Sequence, residues 1–269
     1  MPSMSEFYKP FQPTLTKAGL KRFELSLEHS PACRMLDNVV HSFLQVSTIK
    51  PTPYPVIPDG TQAVFISPHG SIIGGAQSRA HDIQILQPGD YFGIHFYPGA
   101  LRYFFNLNLL EITDQFVDSH YFPCRNFVGL HNNIYQRQSF HQRVHVCEQW
   151  LLRHFKPLPV TPFDQALSLI YQSFGNIRIN RLANMVGWSS RHLNRLFRLH
   201  TGLSAKTFAQ TIRIQHVCKQ LYTIPGDSLN TALELGFFDQ SHLINDFKKR
   251  LLSNPGMFVN RFKSDFYNR

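Results

Sequence analysis

Hydrophobic and polar positions alternate differently in the two halves of the chain. Between about residues 60 and 105, short apolar runs are separated by Gly and Pro, at Gly74-Gly75, Pro88-Gly89 and Pro98-Gly99. Such runs between turn signals are typical of β-strands, and several of them in succession indicate a small barrel or sandwich. From about residue 135 onward, apolar positions recur every three or four residues, which predicts helices.

Two helices are predicted directly after the strands. The segment LLEITDQFVDSHYF, residues 109–122, is expected to form a short helix, and residues 135–155 a longer one. The longer helix carries one apolar stripe with three- and four-residue steps. This stripe either packs on its own domain or forms a dimer interface, and both interpretations stay open here. Its members are Phe140, Val144, Cys147, Leu151 and Phe155.

A proline-rich segment separates the strand-rich half from the helical half. KPLPVTP, residues 156–162, has three prolines in seven residues and therefore ends any preceding helix. We place a linker here, which divides the chain into a first domain of residues 1–155 and a second of residues 163–269.

The stretch INRLANMVGWSSRHLNRLFR, residues 179–198, predicts two short helices around a tight turn. Gly187 interrupts the apolar face of the first helix, and Ser189 can cap the second. The second helix would bury Leu193, Leu196 and Phe197. Its outward side chains suit a major groove, where Arg pairs with guanine and Asn with adenine; the alternative is a helical hairpin with a solvated basic face. These outward residues are Ser190, Arg191, Asn194, Arg195 and Arg198.

A second copy of this pattern follows in SLNTALELGFFDQSHLINDFKK, residues 228–249. Ala232 and Gly236 repeat the spacing of Ala183 and Gly187, although the turn of the second copy is one residue longer. Residues 204–223 read as one connecting helix, capped by Ser204. Its length of about 30 Å approaches one turn of B-DNA, roughly 34 Å, so two recognition helices could enter successive major grooves.

The last hundred residues resemble the DNA-binding domain of AraC/XylS-type regulators. The resemblance rests on LANMVGWSSRHLNRLFRLHTG, on ALELGFFDQSHLINDFKK and on Arg213. It implies a regulator of transcription that binds double-stranded DNA, most often an activator that touches RNA polymerase. By position, the base-facing residues would be Arg191, Asn194 and Arg195 in the first unit, and Gln240, Ser241, Ile244 and Asn245 in the second. Phosphate contacts are expected from Arg198, Lys206, Lys248 and Lys249.

The second unit departs from the family pattern at four positions. Thr231 replaces an aliphatic residue, Asn245 stands where Arg is frequent, Leu252 replaces a helix-ending Gly, and Val259 replaces Arg. We therefore expect the first unit to read more bases than the second.

The strand-rich half resembles the cupin-like N-terminal domain of some of these regulators, through IPDGTQAVF and FGIHFYPGALRYFF. The resemblance implies an α+β chain: a cupin-like β-barrel with helices, followed by an all-α domain with two helix-turn-helix units. It also implies a homodimer formed through the first domain. A small apolar effector could bind inside the barrel, or the barrel's aromatic residues could be ordinary core. These aromatics are Phe65, Phe92, Phe96, Tyr103 and Phe105.

The net charge of +10 is concentrated in the second half. From Thr161 onward there are 14 Lys and Arg against 6 Asp and Glu, a net of +8, and the first 160 residues carry only +2. A basic excess that coincides with the repeated motif favours a DNA partner, because binding releases counterions.

Several other chemistries lack support in the sequence. The four cysteines form no CxxC pair, so neither a zinc site nor a disulfide framework is indicated. His69, His81 and His95 fit no metal motif. We therefore expect no cofactor and no enzyme. The alternatives are a metal-dependent cupin-type enzyme fused to a DNA-binding domain, and an architectural or antagonist protein that senses nothing.

No apolar run approaches the roughly 18 residues of a membrane span, and the first residues lack the features of a signal peptide. The expected location is therefore the cytoplasm.

Overall fold

Strands dominate the chain up to residue 118 and helices dominate after it, which makes the protein a mixed α+β chain. The structure, a computed structural model, describes residues 8–119, 127–223 and 235–263. The strands are β1 (Ser26–Ser30), β2 (Val40–Thr48), β3 (Thr52–Val56), β4 (Gln62–Ser67), β5 (Gly70–Gly74), β6 (His81–Ile85), β7 (Gly89–Phe96) and β8 (Phe116–Asp118). The helices are α1 (Lys17–Phe23), α2 (Phe127–Tyr135), α3 (Phe140–His154), α4 (Pro162–Gln172), α5 (Ile179–Met185), α6 (Ser190–Thr201), α7 (Ala205–Thr223), α8 (Gln240–Leu251) and α9 (Pro255–Lys263).

Six of the strands form an antiparallel sheet in the order β1-β2-β7-β4-β5-β8, and β3 pairs with β6 in a separate two-stranded sheet. Successive side chains of a strand point to opposite faces of its sheet. In β2, Phe43 accordingly joins the apolar core on one side of the large sheet, and Leu44 joins the core on the other side. The large sheet thus separates two cores.

Helices α2 and α3 cover one face of the large sheet. The helix predicted over residues 135–155 is α3, which begins five residues later than predicted because Tyr135 ends α2 and Ser139 caps α3. The apolar stripe of α3 packs on the sheet, since Phe140, Val144, Cys147 and Leu151 are all buried within that core. Packing on its own domain is therefore confirmed for these four residues, whereas Phe155, the fifth residue of the stripe, is only partly buried.

The prediction of a helix over residues 109–122 was only partly right. A short 3-10 helix covers Leu109–Ile112, but Phe116–Asp118 forms β8, which pairs with β5 at the edge of the large sheet. Residues 120–122 lie outside the described ranges. Three- and four-residue apolar steps cannot exclude a strand this short, because three residues hold too little of either period.

The helical second half begins at a well-formed cap. Thr161 and Asp164 form a reciprocal capping box at the start of α4, where the proline-rich segment ends. Helix α7 is capped by Ser204, as predicted, since its Oγ accepts a hydrogen bond from the Thr207 amide at 3.1 Å. Along α7 the buried side chains include Phe208, Ile212, Val217 and Leu221.

The helical half packs directly against the sheet. Leu44 and Val46 of β2 share an apolar core with Ile214 and Val217 of α7 and with Phe262 of α9. Polar contacts reinforce this packing: Nε2 of Gln62 donates to the carbonyl of Thr201 at 3.3 Å. The proline-rich segment therefore connects two parts that are held together by their own surfaces.

Candidate nucleic-acid interface

Helix α6 presents a row of cationic side chains to solvent. Ser189 caps it by accepting a hydrogen bond from the His192 amide at 3.2 Å. Leu193 and Phe197 are fully buried, and their burial fixes how the helix is rotated about its axis. The opposite face carries the exposed residues Arg191, Arg195 and Arg198.

Two other residues expected to face DNA are bonded within the protein. Ser190 Oγ donates to Oδ1 of Asn180 at 2.8 Å. Asn194 Nδ2 donates to the carbonyl of Ser190 at 2.9 Å, and its Oδ1 accepts the amide of Ala205 at 3.1 Å. Asn194 thus holds the start of α7. A bidentate contact with adenine would compete with these bonds, so Asn194 is a weaker candidate for base reading than the three arginines.

Helix α8 occupies the corresponding position in the second unit. Asp239 caps it by accepting the amide of His242 at 2.7 Å, and Leu243 and Phe247 are buried. A first helix is expected in this unit over residues 228–234, and Pro225-Gly226 is expected to end the connecting helix. Both lie outside the described residues. The outward residues of α8 are Gln240, Ser241, Asn245 and Lys248, which are exposed, and Ile244, which is half-buried.

Helix α7 holds the second turn in place through Arg213. The guanidinium donates to the carbonyl of Gly236 at 3.1 Å and lies 4.5 Å from the ring centre of Phe237. Gly236 has φ of 84°, and a Cβ there would come within 2.2 Å of Nδ2 of Asn176. Glycine is required here because its φ is positive and because a side chain would clash with Asn176. The second turn therefore packs closely against the loop before α5, which contains Asn176.

A cationic cleft of about 1180 Å³ lies between α5 and α7. Arg178, Arg181, Lys206 and Arg213 line it, and none of the described residues in its wall carries a carboxylate. Each helix-turn-helix unit is bonded to a residue that lines this cationic cleft. The first is joined to it by the bond between Ser190 and Asn180, and the second by the bond between Arg213 and Gly236.

Sequence reasoning missed Arg178 and Arg181 as candidate contacts. They flank the start of α5, where the predicted role of the segment was only to support the recognition helix. The signal that could have found them is their position: side chains at the start of the first helix of such a unit lie beside the start of the second, as the bond between Asn180 and Ser190 shows.

The N-terminal arm (residues 8–16) runs between the sheet and the helical half. The ring of Tyr8 stacks on Tyr171 of α4 with centroids 4.8 Å apart, and Tyr8 is buried. Gln12 donates from Nε2 to the carbonyl of Ile57 at 2.8 Å and to Oδ2 of Asp59 at 2.7 Å. Burial raises the pKa of Asp59, whereas the hydrogen bonds from Thr61 and Gln12 counteract that rise.

An apolar cavity of about 290 Å³ lies between the two sheets. Phe65 lines it, as predicted, together with Val46, Tyr54 and Ile85. Phe92 and Phe96 instead point into the core beneath α2 and α3, and Tyr103 and Phe105 pack against that same core. Four of the five aromatics proposed as lining are therefore on the wrong side of the sheet.

A smaller space of about 40 Å³ adjoins this apolar cavity and shares Tyr54, Phe65 and Phe116 with it. His95 and Gln77 line the smaller space, and both have a buried atom without a hydrogen-bond partner in the described structure: Nε2 of His95 and Oε1 of Gln77. Burial lowers the pKa of His95 from 6.5 to about 4, so the ring is neutral near pH 7.

The three histidines considered as metal ligands have different surroundings. His69 Nε2 lies 3.3 Å from the carbonyl of Pro88, His81 Nε2 lies 3.5 Å from a carboxylate oxygen of Asp114, and the His95 ring packs on Phe65. Across residues 8–119, 127–223 and 235–263, no three His, Cys, Asp or Glu side chains group in a way that could hold a metal ion. The metal-dependent enzyme thus gains no support from these residues.

Within the described part of the chain, no helix is both long enough and apolar enough to cross a membrane.

Two family models match the chain. One, described as a helix-turn-helix domain, matches residues 182–261, and the other, described as a domain of unknown function (DUF6597), matches residues 28–118. Among solved structures, ToxT from Vibrio cholerae O395 aligns over 90% of this chain and 99% of its own, at 10% identity and a TM-score of 0.42.

Three curated relatives each match less than half of this chain. The uncharacterized HTH-type transcriptional regulator YbfI of Bacillus subtilis is 28% identical over 37% of this chain and 39% of its own length. The HTH-type transcriptional regulator GlxA of Rhizobium meliloti is 34% identical over 30% of this chain, and the match covers 25% of GlxA. The chain thus spans well under half of either protein.

The probable transcription factor PqrA of Proteus vulgaris is 30% identical over 82 residues, which are 30% of this chain and 67% of PqrA. This match covers two thirds of that relative, and the helix-turn-helix model covers the repeated motif described above. The chain therefore belongs to the AraC/XylS family of transcription regulators.

Proposed function

We propose that the protein regulates transcription by binding a specific sequence of double-stranded DNA through helices α6 and α8. The observation that carries this proposal is the cationic cleft, since both helix-turn-helix units are bonded to residues that line it. A phosphate backbone that crosses between two successive major grooves passes between the two recognition helices. A cleft with four cations in its wall suits that backbone electrostatically.

The proposed roles follow from exposure. Arg191 and Arg195 would pair with bases, because they are exposed near the start and middle of α6. In the second unit, Gln240, Ser241 and Asn245 would contact bases through their exposed polar groups, with Ile244 beside them. Phosphate contacts would come from Arg198, Lys206, Lys248 and Lys249, together with Arg178 and Arg181 in the cationic cleft.

We propose the domain division of residues 1–155, 156–162 and 163–269, with the first domain, cupin-like in its sequence, controlling the second. The N-terminal arm supports this, because adjacent residues engage the two parts. Gln12 bonds to Asp59, which lines the smaller space beside the apolar cavity, and the backbone of Phe11 bonds to Gln215 of α7. An effector in the apolar cavity would change the regulator only by binding one arrangement of the arm better than another.

The cavity favours a small, mainly apolar effector. Its wall is formed by Val46, Phe65, Ile85 and other apolar side chains, and the adjoining space offers two unpartnered polar atoms, on His95 and Gln77. A ligand with an apolar body and one group able to donate to Gln77 Oε1 would satisfy both regions.

Family membership supports two further proposals: activation through contact with RNA polymerase, and a homodimer formed by the first domain. The stripe of α3 is buried within its own domain, so the dimer surface would have to use other residues. Sedimentation of the purified protein across a range of concentrations tests the dimer, which predicts a mass twice that of the 31.1 kDa chain.

The test of sequence-specific binding is selection of duplexes from a random library by the full-length protein, at two salt concentrations. We expect one recovered sequence with two blocks about one helical turn apart. The double variant R191A/R195A should lose that enrichment while it keeps salt-sensitive binding to any duplex. Recovery of no shared sequence by the unaltered protein would contradict the proposal and would favour an architectural or antagonist protein.

A further inference from the structure

The second turn carries one exposed aromatic ring that the assigned DNA contacts do not use. Phe238 is 91% exposed, the highest fraction of any large apolar side chain in the described part of the chain. Single exposed apolar residues are common on protein surfaces and need no explanation by themselves. The exposure of Phe238 bears on DNA binding because the residue lies directly before the cap of a recognition helix.

Phe238 is also the residue by which the second turn exceeds the first. In the first unit, Gly187 is followed by Trp188 and then by the cap, Ser189. In the second unit, Gly236 and Phe237 are followed by Phe238 before the cap, Asp239. The extra residue therefore stands at the end of α8 that approaches bases first, since the N-terminal residues of a recognition helix contact the base edges.

The backbone on both sides of Phe238 is fixed, so its ring is held outward. Phe237 is buried beneath the Arg213 guanidinium, and its ring also meets His242 at a centroid distance of 5.4 Å. The amide of Phe238 donates to Nδ1 of that same histidine at 3.3 Å. Asp239 then caps the helix. A free ring on a fixed turn can bind with little loss of conformational freedom.

The chemistry of a duplex leaves one suitable partner for this ring. The largest apolar group that the base edges present in the major groove is the C5 methyl group of thymine, with which Phe side chains make apolar contacts. Gln240 and Ser241 follow within three residues and are exposed, so polar side chains flank the ring. This arrangement suits a thymine set between bases read by hydrogen bonds.

We propose that Phe238 is a specificity-determining residue that reads a thymine, by packing its ring against the C5 methyl group in the major groove entered by α8. The proposal rests on the proposed function, because it requires that α8 enter that groove. It assigns to the second unit an apolar contact in addition to the polar contacts of Gln240 and Ser241.

The test replaces, one at a time, each thymine of the selected second block by deoxyuridine, which removes only the methyl group. Full-length protein is compared with F238S and with M35S, a control that alters another exposed apolar residue, 70% exposed, outside the helical half. One replacement should weaken binding of the unaltered protein and of M35S by about three- to fivefold, the effect of one buried methyl group. F238S should bind more weakly than either and should not respond to that replacement.

Thermal unfolding of F238S should match that of the unaltered protein, because the ring is exposed. The proposal is overturned if no thymine in the second block is more important to the unaltered protein than to F238S, or if that block contains none. It is also overturned if F238S keeps full DNA affinity and loses only transcription, which would point to a protein partner. Failure of the proposed function looks different, since the unaltered protein would then select no sequence at all.

Discussion

Gln215 of α7 bonds to the backbone of Phe11 through both ends of its amide. Oε1 accepts the amide of Phe11 at 2.8 Å, and Nε2 donates to the carbonyl of Phe11 at 3.2 Å and to the carbonyl of Pro58 at 2.8 Å. The side chain is buried, so these backbone groups have little access to water there. One residue of the connecting helix thus holds both the N-terminal arm and the loop before β4.

Replacing Gln215 by Leu should release the arm and destabilise the protein. Leucine has a similar volume but leaves three backbone groups without their partner, and each buried unsatisfied group costs about 1–3 kcal/mol unless water reaches it. We expect the free energy of unfolding to fall by roughly 2–4 kcal/mol, and proteolysis within residues 8–16 to become faster. Urea unfolding and limited proteolysis measure the two effects.

The matched control is Q149L, which alters an exposed glutamine on α3 that bonds only to His145 among the described residues. It should change stability by less than about 0.5 kcal/mol, as surface substitutions generally do. Equal stability of Q215L and Q149L would show that the bonds to Phe11 do not hold the arm in solution.

Acidification should destabilise the protein through His95. Its pKa is about 4 when folded and 6.5 when exposed, so the unfolded chain binds more protons between these values. The contribution of His95 to stability is therefore complete above about pH 6.5 and is lost as the pH falls toward 4, by roughly 2 kcal/mol at pH 5. Urea unfolding at pH 7 and pH 5 measures the loss.

The variant H95Q lacks the titrating group and should show a smaller difference in unfolding free energy between pH 7 and pH 5. H145Q, at an exposed position on α3, is the control and should keep the difference seen in the unaltered protein. If H95Q and H145Q depend equally on pH, His95 is not the group responsible.

Local patterns predicted the DNA-binding half well. The spacing of Leu193 and Phe197 gives the buried face of α6, because one helix period fixes which side chains share a face. The caps Ser189 and Ser204 were predicted for the same reason, since each acts on amides two or three residues away. These features depend on neighbours in sequence, which the sequence displays directly.

Long-range contacts could not be predicted in this way. Gln215 and Phe11 are 204 positions apart, and nothing in the pattern of either segment points to the other. Phe92 and Phe65 were both expected to line a cavity, but only Phe65 does. The alternation of side chains along a strand shows that successive residues face opposite sides of the sheet, and it does not show which side faces a cavity. The internal bonds of Asn194 were missed for the same reason: they depend on where α7 starts in space.

Substitutions at the C-terminal ends of α6 and α8 should change the free energy of unfolding in opposite directions. Both helices end in a left-handed residue, Gly202 with φ of 82° and Leu252 with φ of 54°. A side chain is strained in this conformation, so L252G should stabilise the protein by about 0.5–1 kcal/mol after the greater flexibility of unfolded glycine is included. Leu252 is 65% exposed, so little apolar burial is lost.

In contrast, G202A should destabilise the protein by about 1–2 kcal/mol or more. The new Cβ would be strained, and it would also lie 2.7 Å from Oγ1 of Thr113 and 3.0 Å from the carbonyl oxygen of Leu109. Thermal unfolding of L252G, G202A and the unaltered protein at one pH measures both changes in stability. A loss of stability in L252G would mean that the leucine side chain makes contacts that outweigh the backbone strain.

Arg195 and Lys248 should differ in how their loss affects DNA binding. Arg195 is exposed on the face of α6 opposite the buried Phe197, where its guanidinium can pair with guanine, so R195A should cost about 1–3 kcal/mol on the selected sequence and relax the choice at one base pair. Lys248 lies in the last turn of α8, away from its base-reading start, so K248A should weaken all duplexes similarly.

Titration of selected and scrambled duplexes at several salt concentrations separates these effects. K248A should lower the dependence of log affinity on log salt concentration by about one, because one phosphate contact is lost. R153A, which removes an exposed arginine from α3, is the charge-matched control and should bind both duplexes like the unaltered protein. If R195A and K248A each weakened binding to the selected and the scrambled duplex by the same factor, Arg195 would contact phosphates. The bases would then have to be read by α8.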